Sequence, residues 1–201
     1  MFAGHFGLAA AVKSREPVTP LWALMLGTQL MDVIFVPLLL TGVETIVPVG
    51  EGKYGEAVIH ADYTHSLVGA LLIAFLAAMA AWKWWGKRSA GVMGFMVFSH
   101  WLLDLLVHRS DLPILPGNLG HLPLLGFGLW GSLLISIMLE ILLIAVGAIM
   151  YYLSLRSRVQ KASQSEERIS RPSLSGRSLW TGIIMAGLLV LSLLSDLMGF
   201  G

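Results

Sequence analysis

Five ionisable side chains, His5, Asp32, His65, His100 and Asp104, lie within or at the edge of apolar runs of this 201-residue chain. Such groups are costly in hydrocarbon and persist mainly where they line a functional site. Imidazole nitrogen and carboxylate oxygen together also make a ligand set for a divalent metal. The spacing is sharpest at His100 and Asp104, whose i, i+4 relation turns both groups to one point on a helix face. His108 continues that stripe. A plainer reading of the pair is a hydrogen bond on one helix plus an interfacial histidine. His65 alone reads equally as a polar boundary residue, with Thr64 or Asp62 as the helix N-cap. His5 is close to the start of the chain. Asp32 has no such plain reading, because nothing on its own helix would pair with it. Glu140 is a second mid-helix carboxylate, with an arginine or a neighbouring helix as its alternative partner.

Six apolar elements must position these groups. The first, Phe2 to Val12, is short and rich in Gly and Ala, suited to close helix packing. At about 1.5 Å per residue it crosses only about half a bilayer. The others run from about Leu21 to Leu40, Thr64 to Trp82, Ala90 to His108, Gly128 to Leu153 and Leu179 to Leu197. The Gly-rich acidic loop between Gly42 and Ile59 has enough alternation for a short hairpin. A Pro-rich loop spans Asp111 to Pro123. A Ser- and Arg-rich stretch, 154–178, reads as a polar cytoplasmic linker before the last helix. The expected fold is an all-α polytopic membrane bundle in one domain, 1–201, with five spanning helices and one short N-terminal membrane helix.

Composition agrees. Hydrophobic residues make up 56% and charged residues 12%, against about 25% charged in soluble domains; mean hydropathy is +0.79. No basic stripe points to nucleic acid. The absence of cysteine excludes disulfides, thiolate zinc sites and cysteine nucleophiles. No Gly-x-Ser-x-Gly elbow accompanies Ser66 or Ser99, and six histidines fall short of a di-iron desaturase cluster. Eleven of the 13 Lys and Arg residues fall after elements one, three and five. If the elements alternate, all eleven share one side, which the positive-inside rule makes cytoplasmic. Measured from that side, the five polar groups and Glu140 lie at depths of roughly 12 to 27 Å, compatible with one layer.

The motifs around these residues resemble the YdjM-like bacterial inner-membrane proteins, a group of membrane-bound metal-dependent hydrolases. Gly4-His5 stands where that family opens its first helix. Gly27-Thr28-Gln29-Leu30-Met31-Asp32 stands where it has a run ending Pro-Asp-x-Asp. Tyr63-Thr64-His65-Ser66-Leu67 is similar to its Thr-His-Ser-Leu segment, and Ser99-His100-Trp101-Leu102-Leu103-Asp104 to its Ser-His-x-Leu-x-Asp segment. The likeness covers residues 4 to about 117. Met31 replaces the family's Pro, Ile34 its second Asp, and Ala61-Asp62 its Arg-Gly. His108-Arg109-Ser110-Asp111-Leu112-Pro113 looks like a branch-specific extension.

The resemblance implies a hydrolase of a lipid or lipid-linked ester or phosphoester at the outer leaflet of the bacterial inner membrane. His5, Asp32, His65, His100 and Asp104 are then the expected metal ligands, with zinc the expected ion. Asp104 or Glu140 is the expected general base, and His108 and Arg109 the expected contacts to an anionic headgroup. The rival expectations are an ion or proton transporter using the same layer and a haem protein using two histidines as axial ligands.

Overall fold

The computed structural model describes residues 2–49, 57–164, 183–191 and 194. They form α1 (Phe2–Arg15), α2 (Leu21–Leu40), strands β1 (Thr45–Pro48) and β2 (Ala57–His60), α3 (Leu67–Val107) and α4 (Leu133–Gln164). Residues 183–191 are helical as well. Of these, α2, α3 and α4 are long and apolar enough to cross a membrane.

The expected third and fourth elements emerge as one long helix, α3, with a single break. Gly86 has φ +84 and ψ 177, a conformation that only glycine adopts readily. It divides α3 into arms 67–85 and 87–107. The arms fold back on each other, for a Cβ added at Gly94 would lie 3.3 Å from the Ala78 side chain. Glycine and alanine thus bring the two arms close. The N-cap of the first arm is Ser66, whose hydroxyl accepts the Gly69 N–H at 3.0 Å. This corrects the expectation of Thr64 or Asp62 there, and leaves the Thr64 hydroxyl available for another partner.

Helix α1 runs along α4. A Cβ at Gly7 would meet the Leu143 carbonyl oxygen at 2.6 Å, and one at Gly147 would meet the Gly7 backbone. Seven residues on, the Ser154 hydroxyl donates to the Ser14 carbonyl, so the two helices are parallel. This is the close packing expected of the Gly- and Ala-rich first element. Helix α4 starts later than expected, at Leu133, after a 3-10 turn at Leu129–Gly131. It also continues to Gln164, so the first part of the stretch read as linker is helical; the rest of it, and the ends of the expected last helix, lie outside the described residues.

The described parts of the three basic segments gather at one end, with Arg158 near Lys13. Arg88 donates to Glu16 Oε2 at 2.8 Å and to the Arg15 carbonyl at 3.2 Å. Glu16 Oε1 also accepts the Val18 and Thr19 N–H groups. Burial opposes ionisation of Glu16, but the Thr19 and Val18 donors and the Arg88 guanidinium outweigh it and hold the carboxyl below its ordinary value.

The opposite end carries a cap. The hairpin suggested by alternation forms, with β1 and β2 antiparallel and Thr45 opposite His60. His60 thus lies in a strand rather than a loop, exposed and apart from the other histidines. Leu112 pairs with Leu125, and the Leu67 and Val68 N–H groups donate to Pro113 and Ile114 carbonyls. The Pro-rich loop is thereby fastened over the start of α3.

Candidate metal centre

Four segments meet beneath this cap. Helix α1 contributes His5, α2 contributes Asp32, the turn before α3 contributes His65, and the second arm of α3 contributes His100 and Asp104. His5, His65, His100 and Asp104 are buried. Asp32 is the opening, with its side chain 35% exposed against 2% for His100 and 6% for Asp104. Val33 and Val36 beside it are exposed apolar residues.

The ligand atoms describe a regular figure. His65 Nε2 and His100 Nε2 are 3.3 Å apart. Asp32 Oδ1 lies 3.3 Å from the first and 3.4 Å from the second. Tetrahedral zinc bonds of about 2.0–2.1 Å place ligand atoms about 3.3–3.5 Å apart. The three atoms therefore form one face of a tetrahedron of the right size. Asp104 Oδ2 lies beside this face, 2.9 Å from His100 Nε2 and 3.6 Å from His65 Nε2.

His5 faces the other oxygen of the same carboxylate, with Nε2 3.6 Å from Asp104 Oδ1. Its ring lies against that of His100, centroids 4.1 Å apart. Among the described residues two groups can hold a metal ion, His5–His100–Asp104 and Asp32–His65–His100. They are alternatives rather than a pair of sites. His100 Nδ1 is 2.6 Å from the Thr28 carbonyl oxygen, which only accepts, so Nδ1 carries the proton and Nε2 alone is left for a metal. One ion shared by the cluster is the arrangement the donor set fits.

The residues around the ligands are fixed in turn. The Trp101 indole donates to the His65 carbonyl at 2.8 Å, and Phe35 meets the His65 ring edge-on. One turn beyond Asp104, His108 is buried with Nδ1 3.0 Å from Asp111 Oδ1. Asp111 Oδ2 accepts the Ile59 N–H from β2, and the Trp130 ring packs on His108 with centroids 4.3 Å apart. His108 is thus held in the interior rather than displayed on the surface; Arg109 next to it is half-buried. Glu140 is buried on α4, one turn before the Gly7 crossing, and belongs to neither ligand group. His121 lies in the 3-10 segment Pro116–His121, exposed and outside the cluster.

Three participants were not legible as such. Glu44, in the acidic loop, is fully buried and accepts the Tyr63 and Thr64 N–H groups and the Thr64 hydroxyl. Thr64 joins it to His65 Nδ1 at 2.8 Å. Asp111 stood in a loop with no periodic pattern. Only the Thr64-His65 adjacency was available as a signal.

The chain matches no family model, no curated protein and no solved structure in comparisons of its sequence and fold.

Proposed function

We propose that this protein is a membrane-embedded, metal-dependent hydrolase of the kind its motifs resemble, acting on a lipid or lipid-linked ester or phosphoester from the outer leaflet of a bacterial inner membrane. The observation that carries the reading is the triangle of His65 Nε2, His100 Nε2 and Asp32 Oδ1, with edges of 3.3 to 3.4 Å. Three protein ligands with a fourth position for water or substrate is the pattern of catalytic zinc, whereas structural zinc is closed by four. Zinc bound there would supply Lewis acidity and lower the pKa of a bound water.

The chain's own residues fill the remaining roles. Asp104, within 2.9 Å of His100 and 3.6 Å of His5, takes a proton from the attacking water and passes it towards His5. It is better placed as general base than Glu140, which lies outside both ligand groups. His108, with Nδ1 engaged by Asp111, keeps Nε2 for the substrate, and Arg109 adds a cation for an anionic headgroup. The five spans are α2, the two arms of α3, α4 and the helix containing 183–191, with α1 as the short sixth element. The basic end then faces the cytoplasm and the cap faces outward. Entry beside Asp32, between exposed valines, suits a substrate dissolved in the bilayer.

The His100 ring lies too close to those of His5 and His65, with centroids 4.1 and 5.3 Å apart, to share a porphyrin with either. Transport is separated by experiment. Zinc-loaded protein in nanodiscs is given fluorogenic acyl-ester and phosphoester lipids, and in liposomes an internal zinc dye. Chelator-sensitive cleavage that Asp104→Asn abolishes is expected. Zinc entry into liposomes with every ester class left intact would replace the hydrolase with a transporter.

A further inference from the structure

We propose that Glu44 and Thr64 form a positioning relay that fixes the proton of His65 on Nδ1 and thereby presents the Nε2 lone pair to the metal. The proposal rests on the metal-centre reading and extends it to two residues outside the ligand set.

The argument starts from how many hydrogens each group has. A carboxylate has none to give, and a hydroxyl has one. Thr64 Oγ1 lies 3.1 and 3.0 Å from the two Glu44 oxygens, so its hydrogen goes to Glu44. The same oxygen is 2.8 Å from His65 Nδ1. With its hydrogen already committed, Thr64 only accepts from the ring, and the ring proton sits on Nδ1. The direction of the whole chain, imidazole to hydroxyl to carboxylate, is set by the residue at its far end. His100 reaches the same tautomer by a different route, through the Thr28 carbonyl. Each Nε2 atom then offers its lone pair at its own corner of the triangle.

Glu44 is itself held in place. It follows the end of α2, where Val43 and Glu44 N–H groups both donate to the Leu38 carbonyl. Its Oε1 takes the Tyr63 and Thr64 N–H groups at 2.9 and 2.8 Å. The carboxylate therefore clamps the turn carrying His65 and orients its ring with one side chain. Outer-shell partners of this kind are worth roughly 10–100-fold in metal affinity.

The substitution Glu44→Gln is especially informative. Two backbone donors on Oε1 require the amide oxygen there, which turns the NH2 group towards Thr64 Oγ1. A donor replaces one of the two acceptors, and the Thr64 hydrogen is left with the amide oxygen at 3.1 Å, which two N–H groups already share, so it competes for His65 Nδ1. Thr64→Val deletes the relay atom, whereas Thr64→Ser keeps it.

The test uses the full chain in nanodiscs, with Zn2+ affinity measured by competition against a chromophoric chelator. Glu44→Gln and Thr64→Val are expected to weaken Zn2+ binding by about 10–100-fold, with Thr64→Ser within a few-fold of wild type. Histidine 15N spectra of the metal-free protein are expected to show His65 protonated on Nδ1, and to lose that pattern in Glu44→Gln. Wild-type Zn2+ affinity in Glu44→Gln and Thr64→Val, or a His65 proton found on Nε2 alone in wild type, would overturn the relay. If wild type binds no Zn2+, the metal reading fails, while the 15N spectrum still decides the relay. If Glu44→Gln does not fold, the Thr64 pair and the wild-type spectrum decide it.

Discussion

His65 Nε2 and His100 Nε2 stand 3.3 Å apart across 35 residues of chain. Each ring has its Nδ1 turned to an oxygen, the Thr64 hydroxyl for His65 and the Thr28 carbonyl for His100. Two nitrogen lone pairs facing each other at this distance repel, so something positive must lie between or beside them. A proton shared with Asp104 Oδ2 at 2.9 Å from His100 meets the need without metal. A divalent ion meets it better, because Asp32 and Asp104 add two negative charges to the same point.

Metal binding should therefore displace that proton. Zn2+ titrated into weakly buffered protein is expected to release about one proton per ion, since ligands must bind deprotonated. A pH indicator dye reads the release directly. Binding with no proton release would mean that both Nε2 atoms are bare in the metal-free protein.

Ligands and neighbours should separate by variant. Asp32→Ala, His65→Ala and His100→Ala each break the triangle and should weaken Zn2+ beyond the roughly 10–100-fold assigned to outer partners. His5→Ala and Asp104→Asn should cost less in affinity while removing turnover, because they alter the proton path rather than the triangle. Equilibrium dialysis with elemental analysis measures the first effect and lipid-ester cleavage the second. Asp104→Asn that loses metal as fully as His100→Ala would make Asp104 the fourth ligand.

The Glu16–Arg88 contact ties the α1–α2 turn to the second arm of α3. Glu16→Ala leaves the buried Thr19 N–H and the part-buried Val18 N–H without their acceptor and should destabilise by about 1–3 kcal/mol. Arg88→Ala should cost less, about 0–1 kcal/mol, because that side chain is largely exposed. The pH dependence follows from the lowered carboxyl. The stabilisation is present above the ordinary value of 4.5 and is lost as pH falls through the folded value. Unfolding in detergent between neutral and acidic pH should show a shrinking gap between wild type and Glu16→Ala.

Orientation can be read with single cysteines in this Cys-free chain. Lys87→Cys, at the basic end, should be protected from an impermeant thiol reagent in intact cells, and Leu119→Cys, in the cap, should react. Both positions are exposed. The opposite pattern would turn the cap towards the cytoplasm.

Much of this arrangement was legible in the sequence because bilayer physics writes in long patterns. Helix α2 has the bounds its apolar run gave, and the His100–Asp104 spacing survives as a 2.9 Å contact because a helix turn enforces it. The described parts of the three basic segments, spread through the sequence, gather at one end. What escaped was local. One glycine, Gly86, carries the whole turn between the arms of α3, where several residues of loop were expected. Glu44 looked like one more acid in a solvated loop, because its burial depends on a fold-back of the chain onto Tyr63 and Thr64 that no periodicity announces. Ser66 outcompetes Thr64 as N-cap since Thr64 is already committed to Glu44.

The most direct test of the central claim is the zinc content of the full-length protein, purified without chelator and titrated in nanodiscs, beside its His65→Ala and His100→Ala variants. One tightly held ion per chain in wild type, lost in both variants whose helices remain intact by circular dichroism, is the predicted result. Wild type that carries no metal and takes up none on titration would contradict it, leaving the five polar side chains as hydrogen bonds between helices, worth about 0.6 to 2 kcal/mol each.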